Sequence, residues 1–222
     1  LDESAALKNA LKRTPYYNES GWKLFTKVRS DLRSVFGFLK DIKFEAYWRR
    51  TILPQVQQRI KAIEPTLSSY NVVAEDEAVL GTALPSNKIT VYMLYYNKPH
   101  GMRLTGMRFV SGIAWPLNTL VNNAAHELMH PPYDLKNDRE LRETLALFQG
   151  DTFVMDKVKQ HDPSFGYNSL EGYLEEDCVR ALDQLVTEKL KVARDPHVRW
   201  KEEDAGMHVF AASLYSVMKK EQ

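Results

Sequence analysis

Five residues, His126-Glu127-Leu128-Met129-His130, constrain this chain more than any other segment. On a helix, residues four apart share a face with their Cβ atoms roughly 5–6 Å apart, so both imidazoles can reach one metal ion. Glu127 projects beside that pair, where a carboxylate meets an attacking water rather than the metal and suits a general base. With six histidines in 222 residues, random ordering gives this pattern in about one chain in a hundred. A chain that uses it must fold so as to present a helix, bring a third ligand from elsewhere and leave one position open.

The context agrees with a helix. Leu117, Leu120, Val121, Ala124, Ala125 and Leu128 recur at helical intervals, and Pro116 suits a first turn. Pro131-Pro132 follow directly, and a residue before proline is pushed out of the α region. His130 is therefore predicted as the last helical residue, with its backbone departing from helical geometry. The plainer reading is an amphipathic helix whose two histidines are merely hydrogen-bonded.

For the third ligand, the longer pattern H-E-x-x-H-x-x-G-x-x-H fails, because Tyr133 and Lys136 stand where Gly and His are required. A later acidic residue remains. Asn168 to Val186 reads as a long helix with Asn168 at its N-cap and an apolar face of Leu170, Leu174, Cys178, Ala181, Leu182 and Leu185. Glu171 lies near the centre of that face, Glu175 at its margin and Glu176 almost opposite. A carboxylate aimed at a core is costly unless paired or metal-bound, which selects Glu171. Glu175 is placed to accept a hydrogen bond from a ligating imidazole and fix its tautomer. Glu171 also suits an N-terminal capping role, and Glu175, Glu176, Glu140 and Glu143 are its rivals as ligand.

The motif followed by Glu171-Gly172-Tyr173-Leu174-Glu175 resembles the gluzincin group of zinc metallopeptidases, in which a helical glutamate completes the metal site. The resemblance runs from the strand before the motif helix to the end of the Glu171 helix. It implies Zn2+ on His126, His130 and Glu171, Glu127 as catalytic base, and a peptide or protein substrate. The Pro-Pro after His130 and the long gap to Glu171 depart from the family pattern. A catalytically inactive zinc-binding module on a peptidase scaffold is the alternative.

Upstream, Lys88–Asn97 and Arg108–Trp115 are rich in β-branched and aromatic residues and read as strands, joined through a turn at Lys98-Pro99-His100-Gly101. They predict a small antiparallel or mixed sheet beside the motif helix, with an edge to which an extended peptide can add. A hydrolytic transition state also needs a donor for its oxyanion. His208, on a C-terminal helix, is the expected catalytic candidate, followed by Tyr167, Tyr173 and Tyr215. His100, His161 and His197 read as surface residues.

Residues 1–70 are helical by pattern, Ser20–Leu39 and Phe44–Ile63, with Pro54 interrupting the second and Glu64-Pro65 ending it. They suit a lid or wall over a zincin-like catalytic region at 71–222. Thirty basic against twenty-nine acidic residues give a net charge of +1, which speaks against a nucleic-acid surface. No apolar run approaches membrane-spanning length. A lone cysteine, Cys178, excludes an internal disulfide, and a start at Leu1 suggests an exported, processed protein. The expected fold is α+β and zincin-like: mainly helical, with a small sheet beside the motif helix.

Overall fold

The computed structural model describes residues 3–14, 17–97, 101–134 and 137–221; the turn expected through Lys98, Pro99 and His100 lies outside them. The chain forms two compact units, residues 1–60 and 61–222. The first unit holds α1 (Glu3–Leu11), α2 (Glu19–Asp41) and α3 (Phe44–Tyr47). Asn18 caps α2 by accepting the Gly21 N–H at 2.7 Å. A π-helical turn, Trp48–Ile52, leads into α4 (Leu53–Leu67), in which the units divide. Pro65 does not end α4: it sits in the last turn, and the helix continues to Leu67.

The second unit is α+β. α5 (Val72–Leu80) precedes the strands β1 (Thr90–Leu94), β2 (Met102–Arg103) and β3 (Arg108–Gly112). Among the described residues these form one mixed sheet in the order β1-β3-β2. β1 and β3 are parallel, with Val91 beside Phe109 and Leu94 beside Gly112, so the two strands seen in the sequence are not a hairpin. The short β2 intervenes: it takes the far edge and returns antiparallel into β3 through a turn in which Gly106 adopts φ 67°. Two residues are too few to leave a strand signature.

α6 (Leu117–Leu128) carries the motif. Pro116 is its N-cap, Met129 its C-cap, and His130 lies one residue beyond, so the Pro-Pro step ends the helix slightly earlier than predicted. After α7 (Arg139–Leu147) and α8 (Thr152–Gln160) comes α9 (Leu170–Lys189), then α10 (Pro196–Glu202) and α11 (Val209–Met218). α9 packs against α5, α6 and α11 and is buried on nearly every side from Tyr173 to Thr187. Its cap is Ser169, which accepts the Gly172 N–H at 3.1 Å, rather than Asn168. Phe109, Val121, Ala125, Leu128, Met129, Val179 and Val186 form the core joining sheet, α6 and α9. Tyr173 and Leu174 anchor a second cluster with Leu145, Val154, Val158 and Met207. Each fully buried aliphatic side chain contributes about 1.5–3 kcal/mol, which fixes α6 against α9.

Candidate metal centre

The packing of α6 on α9 brings His126, His130 and Glu176 together, with one donor atom of each within 4.8 Å of the others. The two Nε2 atoms lie 3.2 Å apart. Glu176 Oε1 stands 3.5 Å from His126 Nε2, and Oε2 3.4 Å from His130 Nε2. The histidines are partly buried and Glu176 is buried. This group can hold a metal ion, and among the described residues no other cluster of this kind occurs.

Both imidazoles are oriented from behind. His126 Nδ1 lies 2.8 Å from Asp183 Oδ2, and His130 Nδ1 lies 3.2 Å from Glu175 Oε1. A carboxylate on Nδ1 fixes the tautomer that leaves Nε2 as a lone-pair donor. Asp183 is fully buried and gripped by Arg199, whose Nη2 donates to Oδ2 at 3.0 Å and whose Nη1 also reaches Oδ1. Burial alone would raise the Asp183 carboxyl, but the Arg199 guanidinium and His126 hold it below its ordinary value. Burial likewise works against ionised Glu176, and the neighbouring imidazoles and Arg180 overcome it and keep the carboxylate charged. Arg180 Nε donates to Glu176 Oε1 at 2.7 Å, while its other nitrogens hold Glu203 and Asp204 at 2.6 and 2.9 Å.

Comparison with protein-family models, curated proteins and solved structures gave no match. The chemistry of the centre is therefore read from its own side chains.

Glu127 sits beside the group but outside it. It is 8% exposed and accepts the Arg103 backbone N–H from β2. Burial raises its carboxyl pKa, and His126 and His130 partly offset that. Gly101 touches it so closely that a Cβ there would stand 2.9 Å from Glu127 Cγ and nearer still to Oε1. Gly101, Trp115, Asn122, His126, Glu127, Tyr167 and Glu176 line one cleft of about 580 Å³.

Of the expected residues, His126, Glu127 and His130 meet at one centre. Glu171 does not join them: it is exposed in the first turn of α9. Glu176 stands in its place, because α9 has no solvent face there and the apolar stripe is no guide to which carboxylates point inward. Glu140 and Glu143 are exposed on α7, where Arg139 Nε pairs with Glu143 at 2.6 Å. His208 does not line the cleft. It is buried at the start of α11, with Nδ1 2.5 Å from Asp177 and Nε2 2.8 Å from Asp204. Burial works against its charged form, yet the two carboxylates raise its pKa, and the paired ring ties α9 to the 203–206 turn.

Several partners escaped the sequence reading. Asp183, Arg199 and Arg180 carry no motif, although Glu176, Arg180 and Asp183 follow one another at helical spacing along α9. His161, expected at the surface, is partly buried between two carbonyl oxygens, those of Lys157 at 3.0 Å and Gly166 at 2.7 Å.

Proposed function

We propose that this chain is a zinc-dependent metallopeptidase with a zincin-like fold, and that His126, His130 and Glu176 hold the metal. The supporting observation is the convergence of two Nε2 atoms and one carboxylate whose other polar contacts are already made. Tetrahedral zinc with ligands at about 2.0–2.1 Å places them roughly 3.3–3.5 Å apart. The 3.2 Å between the two Nε2 atoms is close to that spacing, and each Nε2 has one Glu176 carboxylate oxygen near it, Oε1 at 3.5 Å from His126 and Oε2 at 3.4 Å from His130. The set of two imidazoles and one carboxylate, with an open cleft in front, matches a catalytic rather than a closed structural site.

His126, His130 and Glu176 would hold the zinc, which would supply Lewis acidity toward a carbonyl and toward water, whose pKa it would lower to about 7. Glu127 takes one proton from the attacking water as the water oxygen bonds to the carbonyl carbon. When the C–N bond breaks, Glu127 passes that proton to the departing amine, leaving a carboxylic acid, an amine and an ionised Glu127. Asp183 and Glu175 keep both imidazoles in the required tautomer throughout. β2 supports a peptide as substrate: it is the sheet edge nearest Glu127, and the chain entering it, at Gly101, lines the cleft.

Elemental analysis of the purified protein tests the centre. One zinc per chain is expected, lost in Glu176→Ala and kept in Glu171→Ala; the reverse pattern would return the ligand role to Glu171. Glu127→Gln is expected to keep zinc while losing hydrolysis of a peptide library by at least 100-fold. A zinc-loaded parent that cleaves no peptide would mark a binding module instead of an enzyme.

A further inference from the structure

We propose that α2 is a membrane-surface helix: its apolar face enters the boundary between headgroups and acyl chains of an anionic phospholipid bilayer, while basic residues on both margins of that face pair with lipid phosphates. The inference concerns the first compact unit alone and does not depend on the metal centre.

α2 runs for 23 residues and buries none of them. An amphipathic helix takes most of its stability from packing its apolar face, so that face needs a partner. Counted at about 100° per residue from Val28, Leu24, Leu32 and Val35 lie within roughly 40°, and Phe36 and Phe38 close the arc at roughly 80° on either side. Leu24, Phe36 and Phe38 are 63%, 66% and 61% exposed. α1 touches α2 outside this arc: Lys8 pairs with Glu19 at 3.2 Å and stands over the Trp22 ring, and Arg29 reaches Ser4. A continuous exposed apolar face of this width marks an interaction surface.

Charge decides what covers it. Lys27 and Arg29 stand at roughly 100° on opposite sides, one just beyond each phenylalanine, with Lys23 further round on the first side and Lys40 and Arg33 on the second. Such side chains lay their stems along an apolar boundary and extend their charges away from it. Asp31, toward the Phe38 edge, is the one acid within the arc. Residues 1–60 carry twelve basic against six acidic side chains, and residues 61–222 eighteen against twenty-three, so the near-neutral total conceals a cationic first unit. A second copy of α2 would set cationic margins against cationic margins, and an apolar arc of roughly 160° is wider than the seam of a helix pair. A polyphosphate chain would engage the margins and leave the phenylalanines in water. An anionic bilayer accepts both at once. Among the described residues no helix is long and apolar enough to cross a membrane, so α2 would lie along the surface.

The test is flotation of the full chain with phosphatidylcholine vesicles made with and without phosphatidylglycerol. Expected is binding to the anionic vesicles that weakens at least about tenfold on phosphatidylcholine alone and again at high salt. The double variant Phe36→Glu/Phe38→Glu should lose at least about tenfold in affinity, since it places charge at both edges of the apolar face. Lys23→Gln/Lys27→Gln leaves that face whole and should weaken binding roughly 10- to 30-fold, which keeps the test decisive if the phenylalanine variant does not fold. Absence of binding to phosphatidylglycerol vesicles overturns the proposal; if light scattering then shows a dimer that Phe36→Glu/Phe38→Glu dissociates, a second copy covers the face instead. Equal binding to both kinds of vesicle, or full affinity in the lysine variant, overturns it as well.

Discussion

His130 shows how finely the centre is set at the level of single side chains. Burial would lower its pKa, yet the carboxylates of Glu175, Glu176 and Glu127 raise it to about 9 in the metal-free protein. A raised folded-state pKa stabilises the fold fully below the unfolded value near 6.5, and that contribution disappears as pH climbs toward 9. A metal must displace the same proton. Its affinity is therefore expected to rise by up to about tenfold per pH unit between pH 6.5 and 9, measurable by competition with a chromophoric chelator. An affinity flat across that window would show that His130 is not a ligand. Asp183→Asn probes the support behind His126: removing the charge leaves Arg199 buried with its main counter-ion gone and releases the tautomer. Expected are a 10- to 100-fold drop in metal affinity and a loss of about 3–5 kcal/mol in unfolding free energy.

Among the elements, β2 and the residue leading into it hold Glu127, and α9 supplies Glu176 and the carboxylates behind both imidazoles. Gly101→Ala is expected to keep zinc but lower turnover by more than tenfold, because the new methyl group would occupy the place of the Glu127 carboxylate. Metal analysis beside steady-state kinetics checks it; normal turnover would mean that Glu127 can move freely. The motif helix was legible from the periodicity of Leu117 to Leu128, and Pro131 marked its end to within two residues. The contact of Glu175 with a motif imidazole was expected too, although it was placed there as the residue one turn after Glu171, which does not join the centre. Glu176 was not. A stripe argument assumes that a helix has a wet side, and α9, wrapped by α5, α6 and α11, lacks one through its middle. The parallel pairing of β1 with β3 was equally invisible, because strand order depends on the path of the two-residue β2 rather than on the composition of its longer neighbours.

For the molecule as a whole, folding and metal uptake should be coupled, because the residues that could hold an ion come from α6, α9 and the residue after α6's cap. Zinc at a hundred times its dissociation constant adds about 2.7 kcal/mol of stability, so the melting temperature should rise with zinc and fall back with chelator. Asp76 works against the fold. It is fully buried on α5, its two carboxylate oxygens lack hydrogen-bond partners, and burial together with the nearby Asp183 raises its pKa to about 9. The unfolded chain ionises near 3.8 while the folded one stays protonated, so stability drains away as pH rises from 3.8 toward 9. Asp76→Asn should therefore raise the melting temperature, and by more at pH 8 than at pH 5. A variant less stable at pH 8 would show that the carboxylate has a role the fold requires. One feature bears on how such a protein can diverge. Glu175, Glu176, Arg180 and Asp183 all stand on the single helix α9, where inserting or deleting one residue turns everything beyond it by about 100°. Descendants of a common ancestor should thus share an unbroken count from Glu175 to Asp183: nine residues of inheritance that can change in letter but not in number.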